Sequence, residues 1–195
     1  SDAIHKAVER MGFAEMTEIQ EKTIPVMLAG HDVIAKAPTG TGKTCAFGIP
    51  VAEHIDPEKK YPQAVIMAPT RELAQQIAEE LTELTYFMPE VQVACVYGGA
   101  NMEKQARRLA EGCQIVVATP GRLMDHYKHH SIDLAHVTQV VLDEADEMLN
   151  MGFYKDVRHI IELMKARKSL SMFSATISRE VMDIGWLYQN NAEEI

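Results

Sequence analysis

The stretch Ala37-Pro38-Thr39-Gly40-Thr41-Gly42-Lys43-Thr44, preceded by the apolar run Val33-Ile34-Ala35 and followed by a helix-like segment, decides how the rest of the chain is read. It has the form of a phosphate-binding loop of the Walker A kind. Gly40 and Gly42 let the backbone bend and turn N–H groups toward phosphate oxygens. Lys43 supplies a point charge for the β- and γ-phosphates, and the Thr44 hydroxyl can ligate Mg²⁺. Ala37 stands where the generic pattern has Gly, so the loop needs a partner elsewhere.

Asp143-Glu144-Ala145-Asp146 is that partner, set behind the strand-like run Gln139-Val140-Val141-Leu142 and one hundred residues beyond Lys43. By itself such a run is an acidic helix start, since carboxylates stabilise first turns. Combined with a phosphate loop it reads as a Walker B site. Asp143 would hold Mg²⁺ through water, and Glu144 would take the proton of an attacking water as general base. This reading requires Lys43 and Asp143 to meet side by side at neighbouring strand edges, with a magnesium-bound triphosphate between them.

The 195 residues, 47% of them hydrophobic, suffice for one domain with a proper core. Lys and Arg number 19 against 28 Asp and Glu, a net charge of −9, which excludes nucleic-acid binding by bulk field. Any polyanion site must be local. Cys45, Cys95 and Cys113 are odd in number and widely spaced, as expected of buried, reduced thiols rather than of disulfides or a zinc ribbon. His126, His129 and His130 lack acidic or cysteine partners at ligand spacing and read as an exposed helix end. Met148, Met151 and Met164 read as core filler. No apolar run approaches the roughly 20 residues that span a bilayer, and no basic leader precedes an apolar segment, so a cytoplasmic protein without a membrane partner is expected.

Short β-type runs recur at Asp32–Lys36, Gln63–Met67, Gln92–Tyr97, Gln114–Ala118, Gln139–Leu142 and Leu170–Phe173. Helical periodicity lies between them, as in Leu73, Ile77, Leu81 and Leu84, and again in Ile160, Ile161 and Met164. The rhythm predicts an α/β fold, a mainly parallel sheet with helices on both faces. Loops leaving the carboxyl ends of such strands collect on one side, where ligands bind. The unusual residues fall there: Ala37–Thr44, Pro69-Thr70-Arg71-Glu72-Leu73, Gly98-Gly99, Thr119-Pro120-Gly121-Arg122, Asp143–Asp146 and Ser174-Ala175-Thr176.

In order and spacing these motifs resemble the first RecA-like domain of a DEAD-box ATP-dependent RNA helicase, from Gly12 to Ile195. The resemblance implies a single RecA-like, P-loop ATP-binding domain over residues 1–195, with ATP and Mg²⁺ as cofactors. Gly12-Phe13 through Thr17-Glu18-Ile19-Gln20 resembles the Q motif, which makes Gln20 the adenine reader and Phe13 a neighbour of the base. A carboxamide suits that task because it offers both hydrogen-bond senses. The aromatic residue that the family places upstream of this motif would fall at or before Ala3 and is missing. Met16 stands where Pro is common, and Pro38 where Gln is common.

Pro69, Thr70 and Arg71 resemble motif Ia, Gly98, Gly99 and Gln105 the glycine doublet and its following glutamine, and Thr119, Pro120, Gly121 and Arg122 motif Ib. Together they would hold a single RNA strand by its backbone, without reading sequence. Ser174-Ala175-Thr176 resembles motif III, whose hydroxyls would contact Asp146 and couple hydrolysis to strand separation. The family's second RecA-like domain, which supplies an arginine finger worth about 10³ to 10⁵ in rate, is not in this sequence. Little ATPase and no unwinding are therefore expected of the chain alone. A clamp on RNA that hydrolyses ATP only for release, and a DNA-acting helicase of the same superfamily, are the alternatives. Nothing in the sequence indicates the oligomeric state.

Overall fold

The computed structural model describes residues 1–13, 15–38 and 42–195. Seven strands among them form one sheet: β1 (Val33–Lys36), β2 (Ala64–Met67), β3 (Val93–Val96), β4 (Ile115–Ala118), β5 (Gln139–Asp143), β6 (Ser169–Ser174) and β7 (Glu193–Glu194). Their spatial order is β3-β4-β2-β5-β6-β1-β7, and every pair is parallel. The central strands β2, β4 and β5 are buried throughout, which is why they read as continuous apolar runs rather than alternating ones. The two-residue, acidic β7 has neither the apolar pattern nor the length that marks a strand; it is held by register on β1, Val33 against Glu193.

Successive side chains of each strand feed opposite faces. Val65, Met67, Val140, Leu142, Leu170 and Met172 pack beneath α6 (Pro120–Lys128), α8 (Tyr154–Leu163) and α9 (Arg179–Tyr188). Ala64, Ile66, Val141 and Phe173 pack on the other face beneath α3 (Lys43–Glu53) and α4 (Arg71–Leu84). There Phe47 and Phe173 meet with ring centres 5.3 Å apart. α3 and α4 approach so closely at Gly48 that a Cβ would fall 2.8 Å from Leu84 Cδ1 and 3.1 Å from Leu81 Cδ2, so a side chain there would displace the buried tips of both leucines.

The remaining helices are α1 (Asp2–Arg10), α2 (Glu18–Leu28), α5 (Met102–Ala110) and α7 (Ala145–Met148). Local sequence starts them. Thr17 and Gln20 form a reciprocal capping box on α2, Thr70 caps α4, Asn101 caps α5, and Pro120 opens α6 at its first residue. After α7 the chain passes through a π-type turn, Leu149–Phe153, broken by Gly152 at φ 89°. Met148 and Met164 are core residues, whereas Met151 is 52% exposed on this turn, so the expectation of a third core methionine fails there.

The lower edge of the sheet, at the strands' amino ends, is tied down by buried carboxamides. Gln63 accepts from Asp56 N and donates to Asp56 O and Lys59 O; Gln114 accepts from Gln92 N and donates to Pro57 O and Glu90 O. The buried carboxylate of Asp32 accepts from Leu170 N and Asn190 N. The loops at this end are thereby fixed to the sheet. All six expected strands are present, within one or two residues of their predicted bounds.

Candidate functional site

At the opposite edge the chain leaves β1 and enters α3 through the phosphate loop. Thr39, Gly40 and Thr41 lie outside the described residues; Ala37 is buried and Pro38 exposed. Gly42 caps α3 in the left-handed region at φ 77°, and a Cβ on it would fall 2.7 Å from Gln20 Nε2. The backbone conformation calls for glycine, and a side chain here would also displace the Gln20 carboxamide. Lys43 and Thr44 form the first turn of α3, so an anion at this end would meet the positive pole of the helix.

Lys43 Nζ lies 3.1 Å from Asp143 Oδ1 and 3.8 Å from Glu144 Oε2, although one hundred residues separate the two segments. The meeting crosses one strand more than the sequence suggested: β6 intervenes between β1 and β5. The side chain of Lys43 spans that distance. Asp143 Oδ1 also accepts from Glu144 N at 2.9 Å, whereas among the described residues Lys43 Nζ makes no aligned hydrogen bond and Asp143 Oδ2 has no partner. Asp143 is fully buried, and desolvation pushes its carboxyl above the ordinary carboxylate value, against the pull of Lys43. Glu144 occupies a left-handed conformation at φ 47°, ψ 52°, uncommon for a non-glycine residue. The Glu144 side chain remains partly exposed, at 24%. Such strain at the tip of a buried strand marks a residue whose placement is imposed by its surroundings.

Gln20 joins the adjacent segment to the loop. Its Oε1 accepts from Thr17 N and its Nε2 donates to Gly42 O, both at 3.0 Å, which leaves one lone pair and one N–H for a further partner. Phe13 stands 47% exposed nearby.

Asp146, in the first turn of α7, is buried and gathered by the end of β6 and the residues that follow it. Thr176 donates to its Oδ2 from both N (3.1 Å) and Oγ1 (2.8 Å), while Ser174 Oγ accepts from Asp146 N and donates to Thr176 O. Burial alone would raise this carboxyl, but the donors led by Thr176 outweigh it and hold the group below its ordinary value. The three predicted residues are brought together.

Along the same edge, Thr70 and Arg71 are exposed at the start of α4, with Pro69 buried behind them. Gly98 and Gly99 are exposed, and Thr119 and Gly121 are partly so, with Pro120 buried. Arg122 donates to Ala100 O (3.0 Å) and to Gln105 Oε1 (3.1 Å), and its Nε lies 3.7 Å from Asp125. Gln105 itself is buried, with its Nε2 committed to Tyr97 O. It braces the glycine loop from beneath rather than standing at the surface with the rest of the set.

With a lysine after the glycines set against a strand-end aspartate, and Glu-Ala-Asp tied to Ser-Ala-Thr, the chain is matched over residues 17–184 by the model of DEAD/DEAH box helicases. The chain belongs to this family. It is 48% identical over 195 residues to "ATP-dependent RNA helicase CshA" of Limosilactobacillus reuteri, covering 100% of this chain and 39% of that protein. It is 43% identical over 192 residues to "ATP-dependent RNA helicase DeaD" of Escherichia coli K12, covering 98% of this chain and 30% of that one. The chain thus spans well under half the length of these curated relatives. Among solved structures, a hypothetical ATP-dependent RNA helicase from Sulfolobus tokodaii superposes with a TM-score of 0.93 at 40% identity, over 100% of this chain and 56% of that one. A DEAD box protein from Methanococcus jannaschii gives 0.93 at 39%, over 100% and 53%. The fold is the RecA-like domain of this family. Among the described residues, no helix is long and apolar enough to cross a membrane.

Three features of this DEAD-box domain escaped the sequence. Glu80 on α4 comes beside the Thr44 hydroxyl, and burial raises its carboxyl above the usual range; it has the spacing of an ordinary helix-face glutamate. Tyr97 places its ring 4.8 Å beneath the Arg71 guanidinium and accepts from Gln75 Nε2, though it reads as the last residue of a strand. His126 is not part of an exposed helix end: it is fully buried, while His129 and His130 are exposed. Its i, i+4 offset from Arg122 on α6 was the available signal. The cysteines are free; Cys45 and Cys113 are buried, and burial pushes all three thiols up to about 11.

Proposed function

We propose that this domain is the ATP-binding, RNA-binding first half of an ATP-dependent DEAD-box RNA helicase, coupling ATP hydrolysis to local duplex unwinding or remodelling of ribonucleoproteins. The observation that carries the proposal is the Lys43–Asp143 pair: a buried ammonium paired at 3.1 Å with one oxygen of a buried carboxylate whose other oxygen, Oδ2, has no partner among the described residues. An arrangement of this kind is expensive as a structural device and makes sense as a seat for a third, charged party. The names of the relatives support the same reading, and their greater length agrees with pairing to a second RecA-like domain.

On this reading Lys43 and the α3 amino end hold the β- and γ-phosphates, Gln20 and Phe13 hold the adenine, and Glu144 receives the proton of the attacking water. The orphaned Asp143 Oδ2 and the Thr44 hydroxyl fit a Mg²⁺ ion, Asp143 acting through water. When bound, that ion would neutralise charge on the β- and γ-oxygens. Ser174 and Thr176 register the state of the acidic box through Asp146. Arg71, Thr70, Gly98, Gly99, Thr119, Gly121 and Arg122, with Pro69 and Pro120 shaping the turns, line a track for one RNA strand, read by its phosphates.

Titration calorimetry with Mg²⁺ and adenosine or guanosine nucleotides tests the nucleotide half: adenosine preference is expected, and indifference to the base would defeat the Gln20 assignment. The ATPase rate of this chain with and without single-stranded RNA tests the other half. A rate near background is expected, and strong RNA stimulation of this chain by itself would overturn the need for a second domain.

A further inference from the structure

The glycine loop between β3 and α5 is held at both ends by one small network. At its start Tyr97 O accepts from Gln105 Nε2 (3.0 Å), and at its end Ala100 O accepts from Arg122 Nη1 (3.0 Å). Between these anchors, Gln105 Oε1 accepts twice: from Arg122 Nη1 at 3.1 Å and from His126 Nε2 at 3.0 Å. The direction of each bond follows from chemistry. Tyr97 O can only accept, so Nε2 of Gln105 must face it and Oε1 must face α6. Oε1 can only accept, so His126 carries its proton on Nε2. Its Nδ1 is then a bare lone pair, and that atom has no partner among the described residues. Burial and then the Arg122 cation, joined by His129 and against the pull of Asp125, lower the ring's affinity for a second proton and so favour its neutral form.

We propose that His126 is a positioning residue for single-stranded RNA: by fixing Gln105 Oε1 from below, it holds Arg122 and the Gly98–Ala100 loop in the conformation that faces the phosphates. This rests on the RNA-binding reading given above. Neither His126 nor Gln105 needs to touch RNA. The two donors from α6 converge on one oxygen of α5, so the carboxamide cannot rotate while both are present. Without the imidazole donor Gln105 is held at that atom by Arg122 alone, and the arginine is drawn toward the protein interior to satisfy it.

The test uses the full chain with a short fluorescent oligouridylate and Mg²⁺–nucleotide analogue, comparing the unmodified protein with His126→Phe, which keeps the ring volume without a donor, and His126→Gln, whose Nε2 lies at the same reach from Cβ. Expected is an RNA Kd raised about tenfold for H126F, restored to within about twofold of wild type in H126Q, with nucleotide Kd unaltered in both. A well-folded H126F with wild-type RNA affinity, or an H126Q no better than H126F, would overturn the inference. Should H126F not fold, the ring ¹⁵N shifts of the unmodified protein decide: an Nε2–H tautomer is required, and an Nδ1–H tautomer contradicts the network. If the unmodified protein binds no RNA at all, the underlying reading fails and the inference falls with it, a result distinct from either of the others.

Discussion

Three buried polar residues at the lower edge of the sheet and two at the upper edge are treated in opposite ways. At the lower edge, Gln63, Gln114 and Asp32 are buried with their functional oxygens bonded to backbone N–H groups, and they stitch loops to strands. At the upper edge, Lys43 Nζ and Asp143 Oδ2 are equally buried and have no directed hydrogen bond among the described residues. A buried polar group without a partner costs about 1 to 3 kcal/mol, more when charged. The first set serves stability. The second leaves a deficit that, on the proposed reading, a phosphate and a divalent cation would make good. The contrast separates residues that hold the fold from residues that wait for a ligand, and it can be attacked from either side.

The largest effect is expected at the upper edge. Glu144→Gln, assayed in full-length protein, should lower the ATPase rate by about 10² to 10⁴ while leaving nucleotide affinity and melting temperature nearly intact; a rate within a few-fold of wild type would remove Glu144 as the base. Next comes Lys43→Ala, with adenosine-nucleotide affinity reduced by about a hundredfold, equivalent to ~2.7 kcal/mol. Calorimetry showing unaltered affinity would dissolve the contrast altogether.

The lower edge should answer differently. Asp32→Ala deletes two acceptors of buried N–H groups and should cost ~2 kcal/mol, about 5 °C in Tm at this size, without altering nucleotide affinity. A drop in affinity instead of stability would show that the edges are not separable. Arg71→Ala should weaken RNA about tenfold and reduce the salt slope by about one, read from anisotropy titrations at several salt concentrations.

The smallest change concerns Asp146. Its folded pKa lies below the ordinary value, so its ionised form contributes stability above that value, and the contribution is lost as pH falls through the folded pKa. Thr176→Val removes one donor. It should cost ~1 kcal/mol at neutral pH and shift acid unfolding to higher pH; an unchanged acid limb in a pH–melting series would argue against the network.

Much of this was legible in the sequence because the upper edge is assembled from short contiguous motifs. Lys43, Asp143, Asp146, Ser174 and Thr176 announce themselves by type and by following apolar strands, and those strands are legible because burial on both faces makes them uniformly apolar. Whatever depends on one side chain reaching across the fold was not legible. Gln105 reads as a ligand-facing glutamine yet is buried; His126 reads as one of three solvent histidines yet is the only one of those three that is buried. Tyr97 looks like strand filler until Arg71 is laid over it. Periodicity reports which face of an element is buried, not which neighbour from another element meets it there. The strand order β5-β6-β1 belongs to the same category, since crossing connections leave no local trace.

The bond from Gln20 to Gly42 O has a consequence for discrimination. If Gln20 selects the base as proposed, the same carboxamide leans on the hinge of the phosphate cradle and makes one lever of two recognition tasks: a misfit purine would tilt the amide, and the tilt would be delivered to the triphosphate end. Fidelity toward the base would then surface as a slower turnover with guanosine substrates and not only as poorer capture of them.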